Sequence, residues 1–454
     1  MQTLTKKYGL MTAIAMVVGT VIGSGVFFKA QDILTRTEGD LPISVLAWIC
    51  GGFIMLVCVL AFSQLAGKYS KVGGLVDYAE ATVGSKYAYF VGWFVSTIYL
   101  PAMTGVLAWV SARFTLDFVN SVAPGAIADT AVGAECMVLT LLYLVASYTL
   151  NTLAPKGAGK FQVSATIIKL IPLVLMIVVG IIAGLVSGKL GDNFAAATAI
   201  ESEVGRGTHF FSALVSTAFA YEGWIIATTV NAEIKDEKRN LPIALTVGSL
   251  IIISIYVLYN VGIAGGIGIS ELLEHGVSRA FTNLFGSGFG AVLNLFVAVS
   301  CLGTLNGLML ANTRALYALA ARGEGPLPRV FSKVDEATSV PTNSAIFGLL
   351  CATFWFVYFY ASSLSGWFGK YGFDASELPI VTTYLIYLPI IIQMIRKSDA
   401  GVFKRFVIPC LAFAGSVFMV IAACIAHGMG VVYYLIVFAV ISVIGAIVQC
   451  RKKK

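Results

Sequence analysis

Twelve long apolar stretches limit what this chain of 454 residues can fold into. They run over approximately residues 10–32, 42–67, 86–113, 132–151, 161–187, 208–232, 241–265, 286–319, 341–361, 378–395, 405–426 and 429–449. Each is long enough to cross a hydrocarbon core of roughly 30 Å as an α-helix. Lipid offers the backbone no hydrogen-bond partners, so a segment that spans it alone has to be helical. Composition agrees: the chain is 58% hydrophobic and only 12% charged, where a soluble domain averages about 25%. The expected class is an all-α integral membrane protein of twelve transmembrane helices. No cleavable signal peptide is expected.

The charges between the stretches orient them. With the N-terminus inside, 22 of the 30 Lys and Arg fall in inner connections and 7 in outer ones, with Lys169 left over. Lys29 and Arg36 count among the outer seven. This is the positive-inside bias, and it places both termini in the cytoplasm. The net charge of +7 is then a topology signal and not a nucleic-acid footprint. The eight cysteines are scattered through apolar runs without metal-ligand spacing or a disulfide framework. His209, His275 and His427 sit at segment ends. No metal and no cofactor is expected. No HExxH, GxSxG or paired intramembrane Asp motif points to an enzyme.

Two stretches are interrupted where a plain helix would not be. In the first, Gly19-Thr20-Val21-Ile22-Gly23-Ser24-Gly25-Val26-Phe27 puts glycines and a serine at mid-membrane. Each Gly lowers helix stability by about 1 kcal/mol, so the run reads as a broken helix. A half-helix starting near Val26 would aim N–H groups at an anion, and one ending near Ile22 would offer carbonyls to a cation. The alternative is close helix packing through the Gly19 and Gly23 pair. The sixth stretch carries Ala218-Phe219-Ala220-Tyr221-Glu222-Gly223-Trp224, with a carboxylate near mid-membrane. Such a charge costs at least about 2.5 kcal/mol unless it faces a partner or water. Breaks five segments apart fit a 5+5 inverted repeat: residues 1–190, residues 191–397, then 398–454 with the last two helices and a basic tail.

Lys169 lies inside the fifth stretch. Its ammonium needs acceptors, and carbonyls at the first break, with Ser300 or Thr304 of the eighth stretch, are the candidates. It reads either as a tethered cation standing where a related carrier binds sodium, or as a group that titrates during transport. A Lys reaching headgroups is the structural alternative.

These residues resemble the L-type amino acid transporter branch of the amino acid–polyamine–organocation superfamily, close to its bacterial serine/threonine-type exchangers. Four stretches carry the resemblance: Gly19 to Phe27; Lys169-Leu-Ile-Pro172; Phe219 to Trp224 with Glu233 and Lys238-Arg-Asn-Leu-Pro242; and Ser300 to Gly307 with Arg314 and Gly325-Pro-Leu-Pro328. The resemblance implies a LeuT-type fold and sodium-independent exchange of amino acids by alternating access. It implies that the N–H groups of Ser24, Gly25 and Val26 bind the substrate carboxylate. Carbonyls of Val21, Ile22, Phe219, Ala220 and Glu222 would bind the amine. Phe219 would be the aromatic gate, and Lys169 would join the first break to the fifth and eighth segments. Asn306 is expected near the pocket, and Tyr99 and Pro101 are expected on the opposite wall.

Two departures bear on partners and substrate. Animal members bond a heavy chain through a Cys in the loop after the third segment, and residues 111–132 contain none. No disulfide-linked heavy chain is expected, and a bacterial plasma membrane is. Glu222 stands where many neutral-substrate members have Gly. It either pairs with the distal ammonium of a cationic amino acid or is satisfied locally and shapes a site for small neutral substrates. A proton-coupled symporter of amino acids or polyamines is the alternative function.

Overall fold

A computed structural model describes residues 9–68, 74–196, 206–227, 234–397 and 401–451. Glu233, residues 197–205 and the tail residues 452–454 lie outside them. Among the described residues, ten helices are long and apolar enough to cross a membrane, or eleven if a bent pair counts as one span. That pair is Leu10–Val21 and Gly25–Arg36, bent by 48°. The sixth stretch, the twelfth of the expected spans, is described as Arg206–Ala220 and Trp224–Ala227, short helices on either side of a turn.

Several helices outrun the apolar stretches that announced them. The third span is Ser85–Val122, and the first continues to Arg36, so Lys29 and Arg36 belong to a helix and not to an outer loop. The eighth reaches back to Ile269, with non-helical backbone at Gly276 and Gly286. Gly286 marks the start that hydropathy gave; the preceding piece is too polar to announce a span.

Prolines account for two irregularities. A Pro lacks an N–H and crowds the carbonyl four residues before it. Pro101 follows a π-helical turn at Val95–Tyr99, and the carbonyl it frees, Thr97, accepts the Trp355 indole N–H at 2.9 Å. Pro172 likewise frees the Ile168 carbonyl, and the fifth segment is interrupted there, between Pro155–Ile168 and Leu170–Ser187, with Lys169 at the junction.

The chain forms two compact bodies. The first combines Met1–Val91, Asp192–Val261 and Ile380–Ala426; the second combines Gly92–Gly191, Gly262–Pro379 and His427–Lys454. Aromatic rings fill the core of the first. Trp48 meets Tyr221 and Tyr256 edge-on at 5.7 and 5.4 Å, and the Tyr221 hydroxyl donates to the Trp48 carbonyl at 2.8 Å. A separate cluster joins Phe62 to Tyr78, Trp224 and Tyr387 at 6.1, 5.6 and 4.7 Å. Such ring pairs add about 0.5–1.5 kcal/mol each beyond area burial. In the second body the Leu100–Val122 part of the third span packs against Ile269–Ala321 and Thr342–Phe359. Polar ties pin this packing: Asn312 Nδ2 donates to the Gly348 carbonyl at 2.9 Å, and the Ser344 hydroxyl accepts the Tyr317 N–H at 3.0 Å.

Candidate functional site

The first break falls within a residue of its expected place. The helix from Leu10 ends at Val21, Ile22 is extended at φ −65° and ψ 109°, and the next helix starts at Gly25 with Ser24 at its cap. First-turn amides have no intrahelical acceptor. Here they include those of Gly25 and Val26, with the positive end of the helix dipole behind them. Ser24 and Val26 are both buried.

The second break meets the first through backbone. The chain turns at 221–223 between Ala220 and Trp224. A Cβ on Gly25 would stand 2.8 Å from the Ala220 Cα and 3.3 Å from the Phe219 carbonyl oxygen. Gly223 has a φ of +103°, where an L side chain is strained, and a Cβ there would stand 3.1 Å from the Thr20 carbonyl oxygen. Glycine at 25 and at 223 is therefore what lets the two interrupted helices touch. The first segment is broken, and Gly25 also serves close approach.

Tyr256 closes the junction. It comes from the Glu237–Gly266 helix, is fully buried, and its hydroxyl lies 3.1 Å from both the Val21 and the Ala220 carbonyl oxygens. Sequence reasoning missed it. A tyrosine in an apolar helix carries no local signal, and its partners are 235 and 36 residues away. Tyr256→Phe leaves both carbonyls without this donor. A buried acceptor that loses its partner costs about 1–3 kcal/mol. The purified variant is expected to unfold that much more easily, as read by thermal or denaturant unfolding against the wild type.

Phe219 is nearly buried and meets Phe28 edge-on at 5.7 Å. Glu222 is partly exposed, and its electrostatic neighbours include Cys58, Tyr384 and Tyr387 of the same body. Ile22 is fully buried. Val21, Ile22, Ser24, Gly25, Val26, Phe219, Ala220 and Glu222 thus all belong to the two facing breaks or their immediate flanks.

The other expected site residues belong to the second body. Lys169 is 4% exposed, and its backbone N–H bonds to the Ala165 carbonyl at 3.1 Å. One turn before it, Ala165 presses on the eighth segment: a Cβ on Gly303 would stand 2.4 Å from the Ala165 Cβ. Ser300 and Thr304 flank that glycine. The Ser300 hydroxyl is buried with no hydrogen-bond partner among the described residues, while Thr304 Oγ1 donates to the Ser300 carbonyl at 3.0 Å. Asn306 is tied into the packing: its Oδ1 accepts from Asn151 Nδ2 at 2.9 Å, and its Nδ2 donates to the Ala158 carbonyl at 3.2 Å. Those bonds make Asn306 a brace between the fourth, fifth and eighth segments. Tyr99 and Pro101 lie at the π-helical turn, both buried. Among the described residues no group of three His, Cys, Asp or Glu is placed to hold a metal ion.

Ten or more apolar spans, and two interrupted helices that face each other with free-ended backbone, define a membrane carrier of small polar solutes. The chain belongs to the amino acid permease family, which it matches over residues 8–447. It is 30% identical over 427 residues to the serine/threonine exchanger SteT of Bacillus subtilis (strain 168), covering 92% of this chain and 90% of that protein. It is 25% identical over 443 residues to the human b(0,+)-type amino acid transporter 1, covering 96% of this chain and 86% of the relative. Among solved structures, MhsT in complex with L-phenylalanine superposes with a TM-score of 0.62 over 94% of this chain and 100% of MhsT. At 13% identity that likeness speaks for the fold alone, which is of the LeuT type. The protein is a multi-pass membrane transporter of amino acids and not an enzyme.

Proposed function

We propose that this protein exchanges small neutral L-amino acids across a bacterial plasma membrane, without sodium, by alternating access. The observation that carries the reading is the meeting of the two breaks, Gly25 on Ala220 and Gly223 on Thr20. In this reading the amides of Ser24, Gly25 and Val26 hold the substrate carboxylate. The carbonyls of Val21, Ile22, Phe219, Ala220 and Glu222 hold the amine, and Phe219 covers the bound molecule. Lys169 supplies a fixed positive charge, with Ser300 and Thr304 as its neighbours on the eighth segment. Both termini face the cytoplasm, and the protein works without a disulfide-linked heavy chain.

Glu222 bears on the substrate class. Its electrostatic neighbours include two tyrosines and a cysteine of the same body. In this reading the carboxylate is satisfied within the protein, which favours serine- or threonine-sized substrates over cationic ones. The name of the Bacillus relative points the same way. The inverted-repeat reading, 1–190 and 191–397, has support in the two bodies. Segments 1 and 2 share a body with 6 and 7, and segments 3 and 4 share one with 8 and 9; the tenth departs from the pattern of the fifth.

Purified protein in liposomes tests the reading. Labelled serine is expected to enter only vesicles preloaded with amino acid, at the same rate in sodium and in choline buffer, and faster than labelled arginine. Uptake into empty vesicles driven by a proton gradient would replace exchange with proton symport. The burial of Lys169 would then make it the first residue to examine as the coupling group. Arginine as the faster label would return Glu222 to the role of a partner for cationic side chains.

A further inference from the structure

The half-helix Gly25–Arg36 carries a cation that topology counting had assigned to the outer loops. Lys29 is 1% exposed. Its Nζ lies 3.0 Å from Asp32 Oδ2 on the same helix and 3.2 Å from Ser216 Oγ on the Arg206–Ala220 helix. Ser216 Oγ also donates to Asp32 Oδ2, and Asp32 receives Arg36 Nε at 3.2 Å. A buried ammonium is retained only when its partners are well placed, because desolvation costs several kcal/mol per ion. Here Asp32 and Ser216 fix Nζ in one position between the two half-helices. From that position it lies 4.9 Å from the centre of the Phe28 ring and 5.5 Å from the centre of the Phe219 ring. Those rings are the edge-on pair at the second break. A cation this close to an aromatic face is attracted by the ring quadrupole, more strongly where water is excluded.

We propose that Lys29 is the positioning residue of the Phe219 gate, pinned by Asp32 and Ser216 so that its ammonium holds the Phe28–Phe219 ring pair in place. The proposal rests on the reading of Phe219 as the gate over the substrate. Lys29 touches no substrate. It acts through the ring, with the Asp32 carboxylate as its counter-charge. The two half-helices are therefore tied twice: by backbone at Gly25 and Ala220, and about one turn along by this cation.

Lys29→Met tests the idea without stranding a charge, because Asp32 keeps Arg36 and Ser216 as partners. In proteoliposomes the external serine concentration for half-maximal exchange is expected to rise about fivefold, with maximal exchange changed less than about twofold. Phe219→Leu is expected to raise it by a similar factor, and the double variant no further than the larger single effect, since residues acting through one contact are not additive. Factors that multiply in the double variant, or an unchanged half-saturation in Lys29→Met, would overturn the proposal. A second readout does not depend on transport. With 4-fluorophenylalanine at position 219 alone, the wild type is expected to show one narrow fluorine resonance, and Lys29→Met a shifted and broadened one. An identical line in both proteins would also overturn it. A wild type that exchanges no amino acid would remove the exchanger reading, and the fluorine spectra would still decide what holds Phe219.

Discussion

Gly25→Leu is expected to abolish amino acid exchange while the protein still assembles in the membrane. The first added carbon already stands 2.8 Å from the Ala220 Cα and 3.3 Å from the Phe219 carbonyl oxygen. Both neighbours are backbone, so no side-chain rotation relieves the clash. Overpacking of this kind costs typically 1–3 kcal/mol and moves the backbone. The half-helix Gly25–Arg36 would have to withdraw from the Arg206–Ala220 helix, and its first-turn amides would leave their places. Misplacement by about 1 Å in a preorganised site costs on the order of a hundredfold in rate. Exchange in proteoliposomes is expected to fall by at least that factor, with an intermediate loss for Gly25→Ala. Wild-type exchange by Gly25→Leu would mean that the junction of the two breaks is not where substrate binds.

Lys169→Ala carries the second large effect. The residue is almost wholly buried at an interruption of the fifth segment, and the local backbone turn does not need its side chain: the Lys169 N–H bonds to the Ala165 carbonyl in either variant. The packing of Ala165 on Gly303 is likewise untouched. Folding is therefore expected to survive, and the elution profile and unfolding midpoint of the purified variant check it. Transport is not. If the ammonium is the fixed cation that stands in for sodium, its removal leaves the carbonyls it served without a counter-charge. An unpaired buried polar group costs about 1–3 kcal/mol and more for charged contacts, and exchange is expected to drop about a hundredfold or more. Lys169→Arg retains the charge and is expected to keep part of the activity. Normal kinetics for Lys169→Ala would remove the tethered cation from the mechanism.

The breaks were legible in the sequence because their cause is local. Gly23-Ser24-Gly25 are poor helix residues, Glu222-Gly223 sets a carboxylate and a glycine at mid-membrane, and the structure interrupts both runs there. Lys169 stood out for the same reason, as a charge in an apolar context, and Pro172 explains why the helix yields beside it. What escaped depends on contacts between distant segments. Tyr256 looks like any aromatic in an apolar helix until the fold sets it 3.1 Å from Val21 and Ala220. Lys29 was misread because a cation near the end of an apolar run ordinarily sits at the membrane surface. The spacing Lys29, Asp32, Arg36 already held the correction: residues three and four apart share a helix face, so the charges pair along a continuing helix. The engagement of both ends of the Asn306 amide by Asn151 and Ala158 is another such contact between distant segments.

The tyrosine at the junction leaves an imbalance. A hydroxyl owns a single proton, and the hydroxyl of Tyr256 has two carbonyl oxygens waiting at equal distance, those of Val21 and Ala220. Whichever oxygen receives it, the other is left short, and each carbonyl has a further lone pair besides. The carbonyl side of the junction is thus short of protons, while the first-turn amides of Gly25 and Val26 belong to the half-helix that begins beyond it. A molecule arriving with an ammonium group would bring three N–H donors to those carbonyls. The same carbon skeleton with a keto group in place of the amine brings none and adds one more acceptor to those already waiting. An amino acid and its oxo-acid counterpart, nearly identical in size, would thus be told apart by how many protons each delivers.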